Sequence, residues 1–289
     1  MSTPQILVTG AAGQLGKELC LHLGERALGV DVAEIDLCDS PALRAALADI
    51  RPSAVVNCAA YTAVDKAESE PDLCRAVNTG AVAVLAAECR ELEVPLVQIS
   101  TDYVFGDPGP RRPWRENDPP SPRGAYATTK LEGEQVARRC PRHLIVRTCG
   151  LYARPTDEQA KNFVRTMLRL GSGGKPLKVV DDQHCTPSYV PHVARAIVFL
   201  LQAAESGRAR WGTYHVTNDG ETTWFEFAAE IFRIAKLDVV LERITTAEYG
   251  APAPRPAYSV LSTSNYRALG GPPLPDWRDA LTEYFLKPE

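Results

Sequence analysis

The strongest constraint on the fold is an alternation of short apolar runs with helical stretches through the first half of the chain. The predicted strands are Ile6–Thr9, Ala27–Val30, Ala54–Asn57, Pro95–Ile99 and His143–Arg147. The predicted helices between them lie near Leu15–Leu23, Pro41–Leu47, Asp72–Cys89 and Tyr126–Arg139. Strands that alternate with helices form right-handed βαβ units around a parallel sheet. The sequence therefore predicts an α/β fold.

A glycine-rich turn lies where the first predicted strand meets the first predicted helix. Gly10, Gly13 and Gly16 follow the spacing G-x-x-G-x-x-G rather than G-x-G-x-x-G. The backbone amides of such a turn, with the helix N terminus behind them, can hold a pyrophosphate. A lone glycine triplet is also compatible with a plain tight turn. The strand before it and the helix after it favour a bound dinucleotide.

The ends of the next two strands carry residues suited to a nucleoside. Asp31 ends the second strand, where a carboxylate can accept hydrogen bonds from an adenosine ribose, and Asp36 with Leu37 can flank the adenine. Acidic residues there disfavour a 2′-phosphate, which favours NADH, although a purely structural role for Asp31 is equally compatible with its position. Ala59 and Ala60 end the third strand, where small side chains permit either a cofactor against the backbone or close strand–helix packing.

Four polar side chains point to proton transfer. Ser100 and Thr101 end the fourth strand, where ligand groups gather in open α/β sheets. Tyr126 and Lys130 are four residues apart on a predicted helix and therefore share a face. A phenol with a pKa of about 10 is a poor acid at neutral pH, and a nearby cation lowers that pKa. Ser-Thr after a strand is usually a turn or a cap, but together with Tyr126 and Lys130 it favours catalysis, in which Thr101 donates to a carbonyl oxygen.

The second half of the chain has a different pattern. Its predicted elements are helices at Asn162–Leu170, Val190–Leu201 and Thr223–Ala235 and strands at Leu177–Val180 and Thr213–Val216. The 289 residues are enough for two units, at roughly 100–200 residues per domain. We expect a nucleotide-binding domain over residues 1–149. Residues 150–289 are expected to form mainly a substrate-binding lobe, with some elements returning to the main sheet.

The composition is that of an ordinary globular protein, with 45% hydrophobic and 24% charged residues. No apolar stretch approaches the ~20 residues that a membrane span needs. The first residues run directly into Ile6–Val8 and leave no room for a secretion signal. We therefore expect a cytoplasmic protein without a membrane partner. The net charge of −4 gives no sign of a nucleic-acid surface.

The cysteines and histidines indicate neither disulfides nor a metal site. The eight cysteines are scattered and include no C-x-x-C pair, as in proteins that keep reduced thiols. Asp181, Asp182, His184 and Cys185 form the nearest approach to a metal cluster. Adjacent ligands without a second spaced pair are weak support for metal binding, so we expect a structural role and no metal.

Taken together, these residues resemble the extended short-chain dehydrogenase/reductase family, and within it the dTDP-4-dehydrorhamnose reductases. The resemblance runs nearly end to end. Its most specific signals are Ala59–Glu68 and Ser100–Phe105, and the others are Gly10–Gly16, Tyr126–Glu134, Asn162–Val164, Asp182-Gln183 and Leu274–Arg278. The resemblance implies a Rossmann-type doubly wound parallel sheet with a smaller C-terminal substrate-binding lobe. It also implies NAD(P)H-dependent reduction of the C4 keto group of dTDP-4-dehydro-6-deoxy-L-mannose (dTDP-4-dehydrorhamnose) to dTDP-L-rhamnose.

The resemblance implies a role for each matching side chain. Tyr126 would protonate the C4 oxygen, Lys130 would hold the nicotinamide ribose and lower the pKa of Tyr126, and Thr101 would bond the reacting oxygen. Asp102 and Tyr103 would face the sugar. The residues implied to line the NADPH or NADH are Gly10, Gly13, Gln14, Leu15, Asp31, Asp36, Leu37, Ala59, Ala60, Tyr61, Ser100, Tyr126 and Lys130. The implied partner is a nucleotide sugar, and the assembly, a monomer or a homodimer, stays open.

The chain departs from the family on the sugar side. Gly150 stands where the family commonly has a tryptophan, so a sugar-stacking surface would be missing. Cys185 and Ser188 also replace a glycine and a threonine of the family pattern. Either another side chain, such as Tyr152, supplies the sugar contact, or the accepted sugar differs.

Four alternatives to this function have different consequences. A related 4-ketoreductase or a 4-epimerase would act on a different sugar, and an epimerase would show no net use of cofactor. A non-catalytic regulatory subunit, like the β-subunit of methionine adenosyltransferase, would turn over no nucleotide sugar. A 4,6-dehydratase is disfavoured, because Tyr103 occupies the position of the glutamate base in related dehydratases.

Overall fold

The structure is a computed structural model, and it describes residues 5–106, 112–154 and 162–286. The four N-terminal residues, whose lack of a secretion signal predicts a cytoplasmic location, lie outside these ranges. Within the described ranges, no helix is both long enough and apolar enough to cross a membrane.

Strands and helices alternate much as the sequence predicts. The strands are β1 (Ile6–Thr9), β2 (Ala27–Val30), β3 (Ala54–Asn57), β4 (Leu96–Thr101), β5 (His143–Thr148), β6 (Leu151–Tyr152), β7 (Leu177–Val180), β8 (His184–Cys185), β9 (Ser188–Tyr189), β10 (Gly212–His215), β11 (Thr222–Thr223) and β12 (Leu241–Ile244). The helices are α1 (Gln14–Leu23), α2 (Ser40–Ile50), α3 (Val64–Ala67), α4 (Pro71–Arg75), α5 (Ala81–Glu91), α6 (Gly124–Ala137), α7 (Phe163–Gly171), α8 (Val190–Glu205), α9 (Trp224–Ala235), α10 (Thr246–Tyr249), α11 (Ser264–Ala268) and α12 (Trp277–Phe285). The helix predicted over residues 72–89 is instead α4 and α5, joined by a π-helical turn at Ala76–Gly80.

Six parallel strands form the central sheet in the order β10-β5-β4-β3-β1-β2. The chain runs from β1 to its neighbour β2 and then returns across β1 to β3, so the direction of winding reverses beside β1. Ligands of open α/β sheets bind outside the carboxyl ends of the strands at such a reversal. This parallel sheet with flanking helices confirms the predicted α/β, Rossmann-type fold.

One strand of the sheet comes from the second half of the chain. β10 pairs in parallel with β5, with Tyr214 opposite Val146. The other strands of that half form two-stranded pairs, β11 with β8, β12 with β7 and β6 with β9. The predicted domain boundary between residues 149 and 150 stays a prediction.

Both faces of the sheet are buried, which is typical of parallel sheets. On one face, Ile6 and Val8 of β1 pack with the apolar sides of α1 and α8. On the other face, Leu7 packs with Leu43 of α2 and Leu85 of α5. A separate apolar cluster joins α7, α9 and α12 in the second half of the chain. The layers leave only the ends of the strands open to ligands.

A buried ion pair fastens α6 to the sheet. Arg147 on β5 donates to both carboxylate oxygens of Glu134 on α6, at 2.8 Å from Nε and 2.7 Å from Nη2. Ser100 on β4 donates a third hydrogen bond to Glu134, at 2.7 Å. Burial alone would raise the pKa of Glu134, but the hydrogen bonds and charge of Arg147 outweigh burial and hold that pKa below its ordinary value. The helix is therefore bonded to two adjacent strands through an ionised carboxylate.

We expect Glu134→Gln to lower the free energy of unfolding by about 3–5 kcal/mol, because the substitution leaves the Arg147 guanidinium buried without its counter-charge. Chemical denaturation followed by circular dichroism measures the change. The matched control is Glu132→Gln on the same helix, whose partner Arg75 is half exposed and screened by solvent. Equal losses in the two variants would contradict a special contribution from the buried pair.

Candidate active site

A cleft of about 1160 Å³ opens at the carboxyl edge of the sheet, lined by the segments that follow β1 to β5. It brings together most of the side chains that the sequence singles out. These are Gly10, Gly13, Gln14, Leu15, Asp31, Asp36, Leu37, Ala59, Ala60, Ser100, Thr101, Asp102, Tyr126 and Lys130. Tyr61 and Tyr103 are not among the described residues that line it.

Close backbone packing requires the glycines of the turn after β1. Gly10 has a φ of +66°, and a Cβ there would lie 2.7 Å from the amide nitrogen of Ala59. A Cβ on Gly16 would lie 2.2 Å from the carbonyl oxygen of Gly10. The turn therefore lies directly against the backbone that follows β3. Gly13 is the N-cap of α1, and within the described chain no side chain caps that helix, so its first amides are available to an anion.

A buried hydroxyl in the same cleft has no partner among the described residues. Thr148 lines the cleft, is 5% exposed, and its Oγ1 makes no hydrogen bond there. Strand register places it beside Thr101. Because an unsatisfied buried polar group costs about 1–3 kcal/mol, this hydroxyl is suited to bonding a ligand. The glycine turn and Thr148 together fit a dinucleotide cofactor.

Asp31 braces the glycine-rich turn. Its carboxylate accepts 2.8 Å hydrogen bonds from the amides of Ala12 and Val32, and its own amide donates to Glu34. The structural role considered for Asp31 is therefore present. A carboxylate has about four acceptor sites, so acceptor capacity remains for ribose hydroxyls, and that contact stays a prediction.

The predicted catalytic side chains meet at the end of β4. Thr101 is the last residue of β4, and its hydroxyl favours the ionised form of the neighbouring Tyr126 phenol on α6. Lys130 lies one helical turn further along α6, is 5% exposed, and donates from Nζ to the carbonyl oxygen of Ile99 at 2.6 Å. The ring of Tyr103 packs edge-on against Tyr126 with 5.9 Å between centroids. Tyr103 thus supports the phenol, and its contact with a sugar stays a prediction.

The pKa of Tyr126 differs from the expectation. Burial raises it above the ordinary value, and the hydrogen bond with Thr101 only partly opposes that shift. Lys130 is not among the groups with the largest effect on this pKa. Burial also lowers the pKa of Lys130 itself, to about 8. The predicted lowering of the Tyr126 pKa is therefore not found in the protein alone. The free energy needed to remove a phenolate from water exceeds the stabilisation that the neighbouring groups give it.

The carboxylate of Asp102 accepts hydrogen bonds from other side chains of the protein. It is 2% exposed, and its two carboxylate oxygens accept hydrogen bonds from Ser259 at 2.6 Å and from Thr101 at 3.1 Å. Burial raises the pKa of Asp102 in spite of these bonds. The carboxylate therefore orients Thr101, while its predicted contact with a sugar stays a prediction.

Two further tyrosines make contacts within the protein. Tyr61 donates its phenol to Glu70 at 2.7 Å, and its amide donates to Asn78 at 2.9 Å, so it braces the loop after β3, and its predicted contact with the cofactor stays a prediction. Tyr152 was an alternative sugar contact, but it is 0% exposed and packs between the rings of Tyr189 and Phe227. That alternative is wrong, because a fully enclosed ring cannot reach a ligand.

Two polar connections join the cleft to the second half of the chain. The amide oxygen of Gln14 accepts hydrogen bonds from the Ala153 amide at 2.9 Å and from Asn162 Nδ2 at 3.0 Å. Arg255 makes a two-pronged ion pair with Asp65 at 3.0 and 2.9 Å. Sequence reasoning misses these pairs, because their members are more than 130 residues apart. The sequence does carry a signal for Thr148, because this residue ends a strand as Thr101 does.

The side chains that came nearest to a metal-binding pattern make hydrogen bonds and an ion pair within the protein. Asp181 accepts from Thr223, Asp182 accepts from Thr246, and His184 pairs with Glu221 at 2.9 Å. Among the described residues, no group of three or more potential ligands that could hold a metal ion occurs.

Known proteins resemble this chain over nearly its whole length. The dTDP-4-dehydrorhamnose reductase of Streptomyces griseus is 44% identical, with 98% of this chain and 93% of that protein covered. A probable dTDP-4,6-dihydroxy-2-methyloxan-3-one 4-ketoreductase of Streptomyces antibioticus is 43% identical, with 96% and 94% covered. The crystal structure of dTDP-4-dehydrorhamnose reductase from Bacillus anthracis in complex with NADP is 35% identical, with a TM-score of 0.90 and 98% and 99% covered.

The family model described as RmlD substrate binding domain matches residues 4–288. A match of that length includes the glycine turn, the Thr101, Tyr126 and Lys130 group, and the helices of the second half of the chain. The chain therefore belongs to the RmlD substrate binding domain family.

Proposed function

We propose that this protein reduces the C4 keto group of dTDP-4-dehydro-6-deoxy-L-mannose to give dTDP-L-rhamnose, with NADPH or NADH as reductant. The observation that carries the proposal is that Thr101, Tyr126 and Lys130 meet in the same cleft as the glycine turn. The reductase of Streptomyces griseus and the NADP complex from Bacillus anthracis support it through their names and full-length similarity.

The side chains divide the work of reducing a ketone. When bound, the reduced nicotinamide supplies the hydride that adds to C4. Tyr126 donates its phenolic proton to the C4 oxygen, so that the carbonyl becomes an alcohol. The phenol holds its proton at neutral pH, as an ordinary tyrosine does, and this is the form that a donor needs. Burial raises the pKa of Tyr126 and so makes the same phenol a weaker acid. The single hydroxyl hydrogen of Thr101 is donated to Asp102, and it would turn to the same C4 oxygen when the ketone binds.

Lys130 acts on the cofactor side. One N–H of its ammonium donates to the carbonyl of Ile99, and the other two N–H groups can donate to the nicotinamide ribose. Because the carbonyl is part of the sheet backbone, the bond fixes Lys130 relative to Tyr126. The same lysine also places a positive charge beside the site of proton transfer.

A second candidate is reduction of another dTDP-linked 6-deoxy-4-ketosugar. Gly150 favours it, since this position bounds the cleft where a larger side chain would change the shape of the sugar site. The Streptomyces antibioticus relative is named as a different 4-ketoreductase. Net oxidation of NADH or NADPH with a panel of dTDP-4-ketosugars separates the two candidates, and an epimerase would consume neither.

A cytoplasmic location and a homodimeric assembly belong to the same proposal. The nucleotide-sugar substrate is expected to diffuse freely to the cleft, without a nucleic acid or membrane partner. Size-exclusion chromatography with light scattering measures whether the purified chain is a monomer or a dimer.

We expect Tyr126→Phe to lower kcat/KM for the ketosugar by about 10²–10⁴-fold, because it removes the proton donor. The affinity for NADH, measured by isothermal titration calorimetry, should fall far less, because Lys130 and the glycine turn keep their contacts with the cofactor. The matched control is Tyr214→Phe on β10, which removes a phenol that donates to the Arg210 carbonyl. Activity of Tyr126→Phe close to that of the wild type would contradict the proposed role.

We expect Lys130 to lose its proton near pH 8, because burial lowers its pKa to about 8. NMR titration of protein labelled with ¹³C at lysine Cε should show one resonance with that midpoint, absent in Lys130→Met. The unfolded chain keeps this proton to about pH 10.4, so the folded protein should gain stability as pH rises from about 8 to 10.4. Titration of every lysine above about pH 10 would contradict the shift.

We expect NADH to bind more tightly than NADPH, because Asp31 and Glu34 place negative charge at the end of β2. Asp31→Asn keeps an acceptor for the Ala12 amide. It should reduce the ratio of the Kd for NADPH to the Kd for NADH by about tenfold. Fluorescence titration with each cofactor measures both constants. Glu25→Gln, an exposed carboxylate just beyond α1, is the control, and a wild-type preference for NADPH would refute the prediction.

A further inference from the structure

The position of Gly150 is tied to an aromatic side chain far along the sequence. Gly150 lines the cleft and has a φ of +50°. A Cβ on this residue would lie 3.1 Å from Cη2 of Trp224 and 3.2 Å from Cα of Pro187. The space that a side chain at 150 needs is thus taken by the edge of the Trp224 indole.

Gly150 lies close to the reacting groups. Thr148 is paired in register with Thr101, and Gly150 follows it by two residues, just outside the carboxyl end of β5. The segment that follows Gly150 reaches α1, because the amide of Ala153 donates to Gln14 at 2.9 Å. We expect a substrate whose ketone reaches Tyr126 to have its sugar ring near Gly150, with the indole edge beside it.

Trp224 is held firmly in this position. It is the first residue of α9, whose N-cap Thr223 forms a capping box with Glu226 and donates to Asp181 at 2.6 Å. The ring of Phe163 packs against the indole with 4.7 Å between centroids. Trp224 is only partly buried, and its indole edge lies directly behind Gly150, the residue that lines the cleft.

We propose that Trp224 is the apolar wall of the sugar subsite and packs against the C–H face of the 6-deoxyhexose; this rests on the proposed function. A 6-deoxy sugar carries a methyl group on C5 in place of a hydroxymethyl group, which enlarges its apolar surface. Indole offers the largest rigid apolar surface among the side chains, at low entropic cost. The lack of a side chain at Gly150 gives the sugar access to this wall.

The test compares binding of a nucleotide with and without the sugar. With saturating NADH, dTDP-L-rhamnose and dTDP are titrated calorimetrically into wild type and Trp224→Leu; neither pair can react. We expect Trp224→Leu to raise the Kd for dTDP-L-rhamnose about tenfold, the magnitude of one good aromatic contact. The Kd for dTDP should remain unchanged, because the nucleotide lacks the sugar. Trp224→Phe should recover most of the affinity, because it keeps a ring.

The matched control is Phe225→Leu, the next residue on α9, whose ring packs on the guanidinium of Arg243 instead. This variant should bind both ligands as the wild type does. Equal weakening of dTDP and dTDP-L-rhamnose in Trp224→Leu would identify a structural role and overturn the proposal. Unchanged binding of both ligands in Trp224→Leu would also overturn it.

The failure of this proposal is distinguishable from failure of the proposed function. If the wild type oxidises no NADH or NADPH with dTDP-4-dehydro-6-deoxy-L-mannose, the reductase assignment fails. If the wild type turns over while Trp224→Leu keeps the wild-type ratio of the two Kd values, only the role of Trp224 fails. Thermal unfolding by circular dichroism confirms that each variant is folded before titration.

Discussion

The buried pair of Glu134 and Arg147 is the interaction on which the geometry of the site depends. Helix α6 carries Tyr126 and Lys130, whereas Thr101 belongs to β4, and the carboxylate of Glu134 bonds side chains of β4 and β5 at once. Arg147 in turn lies 5.0 Å from the centroid of the Phe105 ring. A displacement of about 1 Å can cost a hundredfold in rate. The pair therefore connects folding of the sheet to the alignment of Tyr126, the proposed proton donor.

Burial acts on the two titratable groups of the cleft in opposite directions. It raises the pKa of Tyr126 and lowers that of Lys130, because a low-polarity site disfavours either charge. A protonated phenol suits ketone reduction, whereas the reverse oxidation needs a base. The protein environment alone thus keeps Tyr126 in the protonated form that a donor needs, while the raised pKa makes the phenol a weaker acid than ordinary tyrosine.

Local sequence patterns predict the sheet and the part of the cleft formed at the strand ends, because both depend on short segments. Ile6–Thr9, the glycine turn and the polar ends of the strands are readable from spacing, and parallel topology then brings them to one edge. Two-residue strands such as β6 and β9 are too short to show a periodic pattern. They pair where the amide of Ser188 donates a hydrogen bond to the carbonyl oxygen of Gly150. The placement of Tyr152 and Trp224 depends on packing between distant helices, which no local pattern reports.

The bonds from Gln14 to Ala153 and Asn162, with the pair of Asp65 and Arg255, bear on affinity. They join the segments that follow β1 and β3 to the second half of the chain. A ligand that must draw two parts of a protein together gives up part of its binding free energy to that closure. Here the walls are already connected, so the free energy of each new contact can appear directly as tighter binding or a lower barrier.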